Sequence, residues 1–198
     1  IQVIEAIRKA VGNEFIVGVR MVADEDWKKG LTKEEGLKIV KKIIKNEKID
    51  FLNIIRGHID TDASLTKVIP TQGMKSSPHL DFAGDIKFES SFPVFHASKI
   101  NDVATARYAI QAGKLDMVGM TRAHIADPHI VKKIINGREN TIRPCVGATY
   151  CLDRIYEGNE ALCIHNPATG REKFIPHEIS TKTDHKKKIA IVGAGPSG

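Results

Sequence analysis

The sequence predicts an α/β protein on a parallel sheet, the carboxyl-terminal half of a (β/α)8 TIM barrel, followed by a cysteine loop and the first strand and turn of a Rossmann-like nucleotide-binding domain. Three observations predict it. Across residues 1–140, four short β-branched or apolar runs each lead into a helical pattern, the alternation that parallel strands with crossover helices require. The runs are apolar throughout rather than alternating, as strands buried on both faces are. A fifth apolar run, Ile189-Ala190-Ile191-Val192, enters a Gly-x-Gly-x-x-Gly turn. Four β/α units are half of an eight-unit barrel, and pattern alone fits a small open sheet equally well.

The elements follow in order. Ile4, Ile7 and Val11 sit at helical spacing, and Gly12 is the stop. Phe15 to Met21 reads as the first strand. Thr32 to Lys45 reads as a helix, opened by a Thr32/Glu35 capping box and striped by Leu37, Val40, Ile43 and Ile44. Phe51 to Ile55 is the second strand, and residues 57–80, with Gly57, Pro70, Gly73 and Pro78, read as a long loop. Pro93 to Ala97 is the third strand. Asn101 caps a helix through Gln111 that stops at Gly113, and Leu115 to Met120 is the fourth strand. Asp127-Pro128 opens a last helix, with proline in a favoured first-turn position, ending near Gly137. The domain reading is 1–140 for the half-barrel, 141–185 for the cysteine segment and linker, and 186–198 for the start of the nucleotide-binding domain. With Ile1 already inside a helical pattern and Gly198 inside a motif, the chain reads as part of a longer protein.

Composition narrows the function classes. The 198 residues are 41% hydrophobic and 27% charged, enough for a core and unlike a disordered chain. No stretch reaches the roughly 18 apolar residues of a membrane span, and no secretory leader opens the chain. The net charge is +6, with a run at Lys186-Lys187-Lys188, but aromatics are only 6%. Lysines without a stacking platform read as a solvated face, not a nucleic-acid surface. Three cysteines, all within 145–163, exclude a disulfide scaffold and point to metal or redox chemistry in a reducing compartment, the cytoplasm.

Three signals carry chemistry. The first lies at the carboxyl ends of the strands, where such folds place reacting ligands: Arg20, then Arg56 and His58, then His96 to Lys99, then Gly119 to Arg122. A glycine followed closely by an arginine suits a phosphate, because backbone can approach and the guanidinium offers a planar fork of donors. His58, Asp60 and Asp62 lie on that side too, where a solvated loop is the alternative to a substrate contact. His79, His124, His129, His177 and His185 read as solvent-facing or local hydrogen-bonding residues. The second signal is Cys145 and Cys151, with Cys163 after eleven intervening residues. This spacing suits an iron–sulfur cluster or a structural zinc, with three unligated thiols as the alternative. Ala148 stands where a fourth cysteine would complete the pattern; Tyr150, Asp153 and His165 are nearby heteroatom side chains. The third signal is Gly193, Gly195 and Gly198. The first allows the tight turn, the second lets backbone approach a pyrophosphate, and the third lets helix pack on strand.

The order of these motifs resembles the iron–sulfur flavoenzymes of the old yellow enzyme superfamily, the trimethylamine dehydrogenase and 2,4-dienoyl-CoA reductase type. Gly119-Met120-Thr121-Arg122-Ala123-His124-Ile125-Ala126-Asp127-Pro128 and Ile191-Val192-Gly193-Ala194-Gly195-Pro196-Ser197-Gly198 carry the resemblance. Arg143-Pro144-Cys145 through Ile164-His165-Asn166-Pro167 is most similar to the branch that demethylates dimethylglycine or N-methylproline. The resemblance implies an FMN on the barrel, a 4Fe–4S cluster after it, and FAD or NAD(P) in the following domain. Arg20 would stand near the pyrimidine edge of the flavin. Ala97, Ser98 and Lys99, with Gly119, Met120, Thr121 and Arg122, would hold the FMN phosphate, and Cys145, Cys151 and Cys163 would ligate the cluster. Ala148 departs from the family's cysteine and leaves the cluster's nuclearity open. The implied chemistry is oxidation of a small N-methyl amine by flavin N5, with electrons leaving singly through the cluster to an acceptor. NADPH-driven enoyl-thioester reduction is the reverse-direction alternative, and a zinc-binding interaction module the non-catalytic one. The implied partners are a small-molecule substrate and an electron-transfer protein or NAD(P)H. There is room for a homo-oligomer, and no nucleic acid or membrane is expected.

Overall fold

The computed structural model describes residues 1–46, 48–178 and 188–195. Four strands, β1 (Gly18–Asp24), β2 (Phe51–Arg56), β3 (Val94–His96) and β4 (Met117–Val118), form one parallel sheet in the order β1-β2-β3-β4. The order follows the chain without reversal. An open doubly wound sheet reverses its strand order at a switch point; successive units laid side by side are the wall of a barrel. The open-sheet alternative is thereby set aside.

One face of the sheet is the core. Ala23, Leu52, Ile54 and Val94 point toward the helices and pack with Val40, Ile43, Leu80, Ala83, Ile86, Ala109 and Leu115. The other face carries Arg20, Asn53, Phe95 and Met117 in one row across all four strands. Below that row the Phe51 and Phe95 rings stack at 4.6 Å. The Phe51 ring lies over Gly18, where a Cβ would come within 2.1 Å of it. Arg20 is exposed on this face and Met117 is 50% exposed.

Three of the described helices begin where a side chain satisfies a first-turn N–H group. α1 (Gln2–Val11) ends at Gly12 (φ 79°). Its buried Arg8 bonds Asp50 at 2.8 Å and the carbonyls of Phe15 and Lys48, tying the helix to the approaches of β1 and β2. α2 (Lys33–Asn46) has the expected box: the Glu35 N–H donates to Thr32 Oγ1 and the Thr32 N–H to Glu35 Oε2. It lies against β1 at Gly36, where a Cβ would sit 1.9 Å from the Ala23 carbonyl oxygen.

Several expected boundaries are corrected. β1 runs from Gly18 to Asp24, not 15–21, because its start is set by pairing Gly18 with Phe51; Phe15 and Ile16 stay exposed. The stretch 57–80 is not structureless. Thr61 accepts the Ser64 N–H and caps α3 (Asp62–Val68), and α4 (Leu80–Glu89) follows. Leu80, Phe82, Ala83 and Ile86 form a buried face on α4, but Gly84 and the fully exposed Phe88 blur its pattern. α5 (Val103–Gln111) is capped by Asp102, not Asn101; its carboxylate reaches the Thr105 N–H at 2.7 Å. The helix expected from Asp127 forms as α7 (Ile130–Ile135), starting three residues later, and a short helix not expected from sequence, α6 (Thr121–Ala126), precedes it. Pro128 disfavours helical backbone at Asp127, which is extended (φ −143°). α8 (Tyr150–Tyr156) lies in the cysteine segment. The expected strand at 188–192 is not formed. Ile189, Ile191 and Val192 are exposed there; a strand needs a hydrogen-bonding neighbour, and no described strand pairs with it.

The break between α6 and α7 is held by Asp127, which is 2% exposed. Its carboxylate accepts the N–H groups of His129 at 3.0 Å and Arg143 at 2.8 Å, and the Lys133 ammonium at 2.5 Å. Burial opposes its charge, but the Lys133 ammonium and the two N–H donors win, holding the carboxyl below its usual range. Such a group adds stability above its unfolded pKa of about 3.9, which is lost as the pH falls through the folded value.

Two predictions follow from these contacts. Asp127→Ala takes the carboxylate from a mostly buried ammonium, which keeps the Thr141 carbonyl alone, and from two N–H groups; unfolding at neutral pH should show a loss of about 3–5 kcal/mol. Asp127→Asn should lose less and flatten the acid limb of stability against pH. Gly36→Ala forces a methyl into the β1 backbone and should cost about 3 kcal/mol in urea unfolding; unchanged stability would contradict the packing of α2 on β1.

Candidate functional site

The loops after β3 and β4 meet. The Gly119 N–H donates to the His96 carbonyl at 2.8 Å, and a Cβ at Gly119 would lie 2.5 Å from that of Ala97. Ser98 is buried, and its hydroxyl has no protein partner. Lys99 has left-handed backbone (φ 50°), and its ammonium donates to the carbonyls of Thr71, at 2.7 Å, and Met74. Arg122, in the first turn of α6, donates through Nη2 to the Pro70 carbonyl at 2.9 Å, while its buried Nη1 has no partner. Residues 70–74 thus form a strap that both cations hold over the strand ends. Met120 packs partly buried against the core, and Thr121 is exposed at the start of α6.

The three free cysteines line one shallow hollow that is partly open to solvent. Arg122, Ile125, Gly147, Ala148, Tyr150 and His165 complete much of its wall. Two anchors build it. The Gly147 carbonyl accepts the Gln72 N–H at 2.8 Å, and Gly147 itself has φ 72°, so the first cysteine loop is stitched to the strap in a conformation that favours glycine. Behind Cys163, the fully buried Asn166 donates to the Ile125 carbonyl at 3.1 Å, as Thr169 does at 2.9 Å. The cysteine segment is therefore pinned to α6, whose own first turn supplies Arg122.

The electrostatics of the hollow are mixed. Burial pushes the Cys151 thiol up and the neighbouring Cys145 adds to it, while the Arg122 guanidinium and the Leu152 N–H pull the other way. The His165 N–H points at Cys163 Sγ at 3.4 Å. Among the described residues no three His, Cys, Asp or Glu side chains are grouped as a single metal ion requires. Thiolates on one zinc lie within about 2.3 Å of one point; the corners of an iron–sulfur core are spread wider.

Not every expected residue joins these groups. Arg20 stands apart on the open sheet face, level with Asn53 and Phe95. Arg56 is engaged by Asp24 at 2.8 Å and Asp26 at 3.3 Å, and the Arg56 guanidinium helps hold the Asp24 carboxyl below its usual range against burial. His58 stacks on Trp27 at 5.2 Å and accepts the Asp60 N–H, while Asp62 begins α3. Of the two roles expected for His79, solvent-facing or hydrogen-bonding, it takes the second and is only 7% exposed. It bonds the Lys67 carbonyl and stands 6.4 Å from the His96 ring, which bonds the Ile54 carbonyl. Burial holds both imidazoles below their usual pKa. Gly193 has a positive φ of 124°, as a tight turn expects, and Gly195 is exposed in open space. Gly198 and His185 lie outside the described residues. Sequence reasoning missed Asp127, Asn166 and the strap carbonyls. Only Asp127 carried a signal, the Asp-Pro pair, which marks a break as well as a helix start.

Two groups of partnerless donors and thiols thus sit at the end of the last β/α unit. Ser98 Oγ and Arg122 Nη1, without partners among the described residues, are candidate donors to an anion such as a phosphate, and the three thiols of the hollow are candidate metal or cluster ligands.

The chain is 63% identical over 196 residues to a "Probable N-methylproline demethylase" of Rhizobium meliloti (strain 1021), covering 99% of this chain and 29% of that protein. It is 46% identical over 199 residues to a "Multifunctional alkene reductase/demethylase OYE" of Caballeronia cordobensis, covering 100% of this chain and 28% of that protein. The chain thus spans under a third of the length of these relatives. A solved 2-naphthoyl-CoA reductase complex superposes with a TM-score of 0.79 at 26% identity, over 86% of this chain and 26% of that one. Residues 1–141 match the profile of one family, and the chain belongs to it: the NADH:flavin oxidoreductase / NADH oxidase family.

Proposed function

We propose that this chain is the flavin- and cluster-bearing part of an FMN-dependent oxidoreductase that oxidatively demethylates an N-methylated amine or amino acid. The observation that carries the reading is the position of Arg122. Its side chain belongs to the strand-end loop of the last β/α unit and also lines the cysteine hollow. One residue thereby joins a candidate phosphate site to a candidate cluster site, as short-range electron transfer between two cofactors needs. The demethylase names of both curated relatives support the substrate class.

FMN, when bound, supplies the two-electron oxidation of the N-methyl carbon, and water then releases formaldehyde and the demethylated amine. Ser98 and Arg122 would hold the phosphate with their unpaired donors, beside the backbone of Ala97 and of Gly119, which packs against the Ala97 methyl. Lys99 would act through the strap it fixes. Arg20 would present its cation on the open sheet face, where it stabilises negative charge on the reduced ring. Cys145, Cys151 and Cys163 would hold the iron–sulfur core, and Gly193, Gly195 and Gly198 would open the FAD or NAD(P) site of the following domain. The domain division at 1–140, 141–185 and 186–198 belongs to this reading, as do a soluble electron-transfer partner and a reducing cytoplasm for three free thiols. Among the described residues no helix is long and apolar enough to cross a membrane.

The reductive direction has its own support, since one relative is named as an alkene reductase as well as a demethylase. One assay separates the two. The full protein that carries this chain, purified anaerobically, should contain FMN, iron and acid-labile sulfide. It should release formaldehyde from N-methylproline or dimethylglycine with an artificial electron acceptor. Consumption of NADPH with an enoyl thioester, and no formaldehyde, would instead establish the reductive direction. Arg20→Ala should lower kcat/KM for demethylation by a factor on the order of 10²–10³ while FMN content is retained; wild-type turnover in that variant would remove Arg20 from the flavin site.

A further inference from the structure

We infer that His165 is the fourth protein ligand of the iron–sulfur core, through Nε2, and takes the place of the thiolate that Ala148 cannot supply. The inference rests on the reading that a cluster occupies the cysteine hollow. Four ligands are usual for such a core. The hollow offers three thiols, and beside them only Thr149, Tyr150 and His165 carry a side-chain donor atom suited to a metal. Thr149 gives its hydroxyl proton to the Ala148 carbonyl at 2.7 Å. The Tyr150 ring lies under the Arg154 guanidinium at 5.8 Å. Asp153 is not part of the wall.

His165 lines the hollow with its ring held at one nitrogen. Its Nδ1 lies 2.7 Å from the Pro144 carbonyl oxygen. A carbonyl only accepts, so the proton is on Nδ1 and the lone pair is on Nε2. Metal-bound histidines have this arrangement, with the distal N–H held by a carbonyl or carboxylate that fixes tautomer and ring plane. The two bonds of this residue also place it. Pro144 immediately precedes Cys145, and the His165 backbone N–H points at Cys163 Sγ, so the imidazole is fastened beside two of the three thiols.

The substitution has an electronic consequence. A neutral imidazole in place of a thiolate makes the core less negative by one charge, and Arg122 on the same wall adds a cation. Both changes favour the reduced core, as histidine ligation does in other iron–sulfur centres. A core that takes electrons more readily draws them out of a reduced flavin, which is the oxidative direction.

The test uses the full flavoprotein, purified anaerobically from cells fed 15N-histidine. Pulsed EPR of the reduced cluster should show a strongly coupled nitrogen whose coupling changes with the isotope. In His165→Ala that coupling should vanish, iron should fall by about one per chain, and the oxidised protein should show the signal of a three-iron core. Ala148→Cys combined with His165→Ala should regain the lost iron, without nitrogen coupling and with a more negative cluster potential. That double variant also shows that the hollow still folds without His165. Wild-type protein with full iron and sulfide but no nitrogen coupling would overturn the inference. So would a His165→Ala variant with unchanged iron content and potential. Wild-type protein with no iron or sulfide would sink the cluster reading itself, and this ligand with it.

Discussion

The buried carboxylate of Asp127 is the joint on which the site depends. It sits where α6 ends and α7 begins, and it binds the His129 N–H and the Lys133 ammonium on the α7 side and the Arg143 N–H at the start of the cysteine segment. Arg143 returns the contact by donating to the Ala126 carbonyl at 3.2 Å. The chain from Arg143 onward therefore leaves the last β/α unit at a fixed point. Two residues later comes Cys145. An exposed ion pair would contribute little to such a joint. A nearly buried carboxylate with three donors resists movement, because each donor left unpaired would be costly.

From that joint the geometry follows in short steps. Asn166 and Thr169 share the Ile125 carbonyl near the end of α6, so the segment after Cys163 folds back onto the same helix. Gly147 is stitched to the strap at Gln72, and the strap is held by Lys99 and Arg122 from the ends of β3 and β4. Two strand-end loops, the strap and both cysteine loops form one connected body. Its polar groups are largely satisfied from within; those left without a partner among the described residues include two donors, Ser98 Oγ and Arg122 Nη1, beside the ring nitrogens His79 Nδ1 and His96 Nε2. Leftover donors in a region this closely bonded point to an acceptor that the protein does not itself supply.

Much of the architecture was legible because it rests on local rules. The Thr32/Glu35 box, the stop at Gly12 and the apolar strand runs depend on residues within a few positions of one another. What failed depends on distant partners or on choices that local pattern leaves open. The register of β1 is set by Phe51, more than thirty residues away, and the cap of α5 turned on which of two adjacent good capping residues reaches Thr105. α4 was hidden because Phe88 is apolar yet 91% exposed, which smears the helical period. The run at 188–192 has a strand's composition, but composition does not supply a pairing partner. At the site, the residue types were readable and their engagements were not. Lys99 and Arg122 were expected on a phosphate, and both donate to strap carbonyls whose positions no spacing rule encodes.

The contrast between Lys99 and Arg122 shows how one such segment can both build a site and serve it. An ammonium is a point charge, and that of Lys99 already donates to two carbonyls. A guanidinium is a rigid fork with donors on separate nitrogens. Arg122 can hold the strap with Nη2 and still present Nη1 to an anion, while its charge also acts on the Cys151 thiol. Lysine in its place would have to choose among these tasks. The strand-end arginine therefore belongs equally to the fold, to the anion site and to the cysteine hollow, and that shared membership is what brings the two candidate cofactor sites together on a single helix turn.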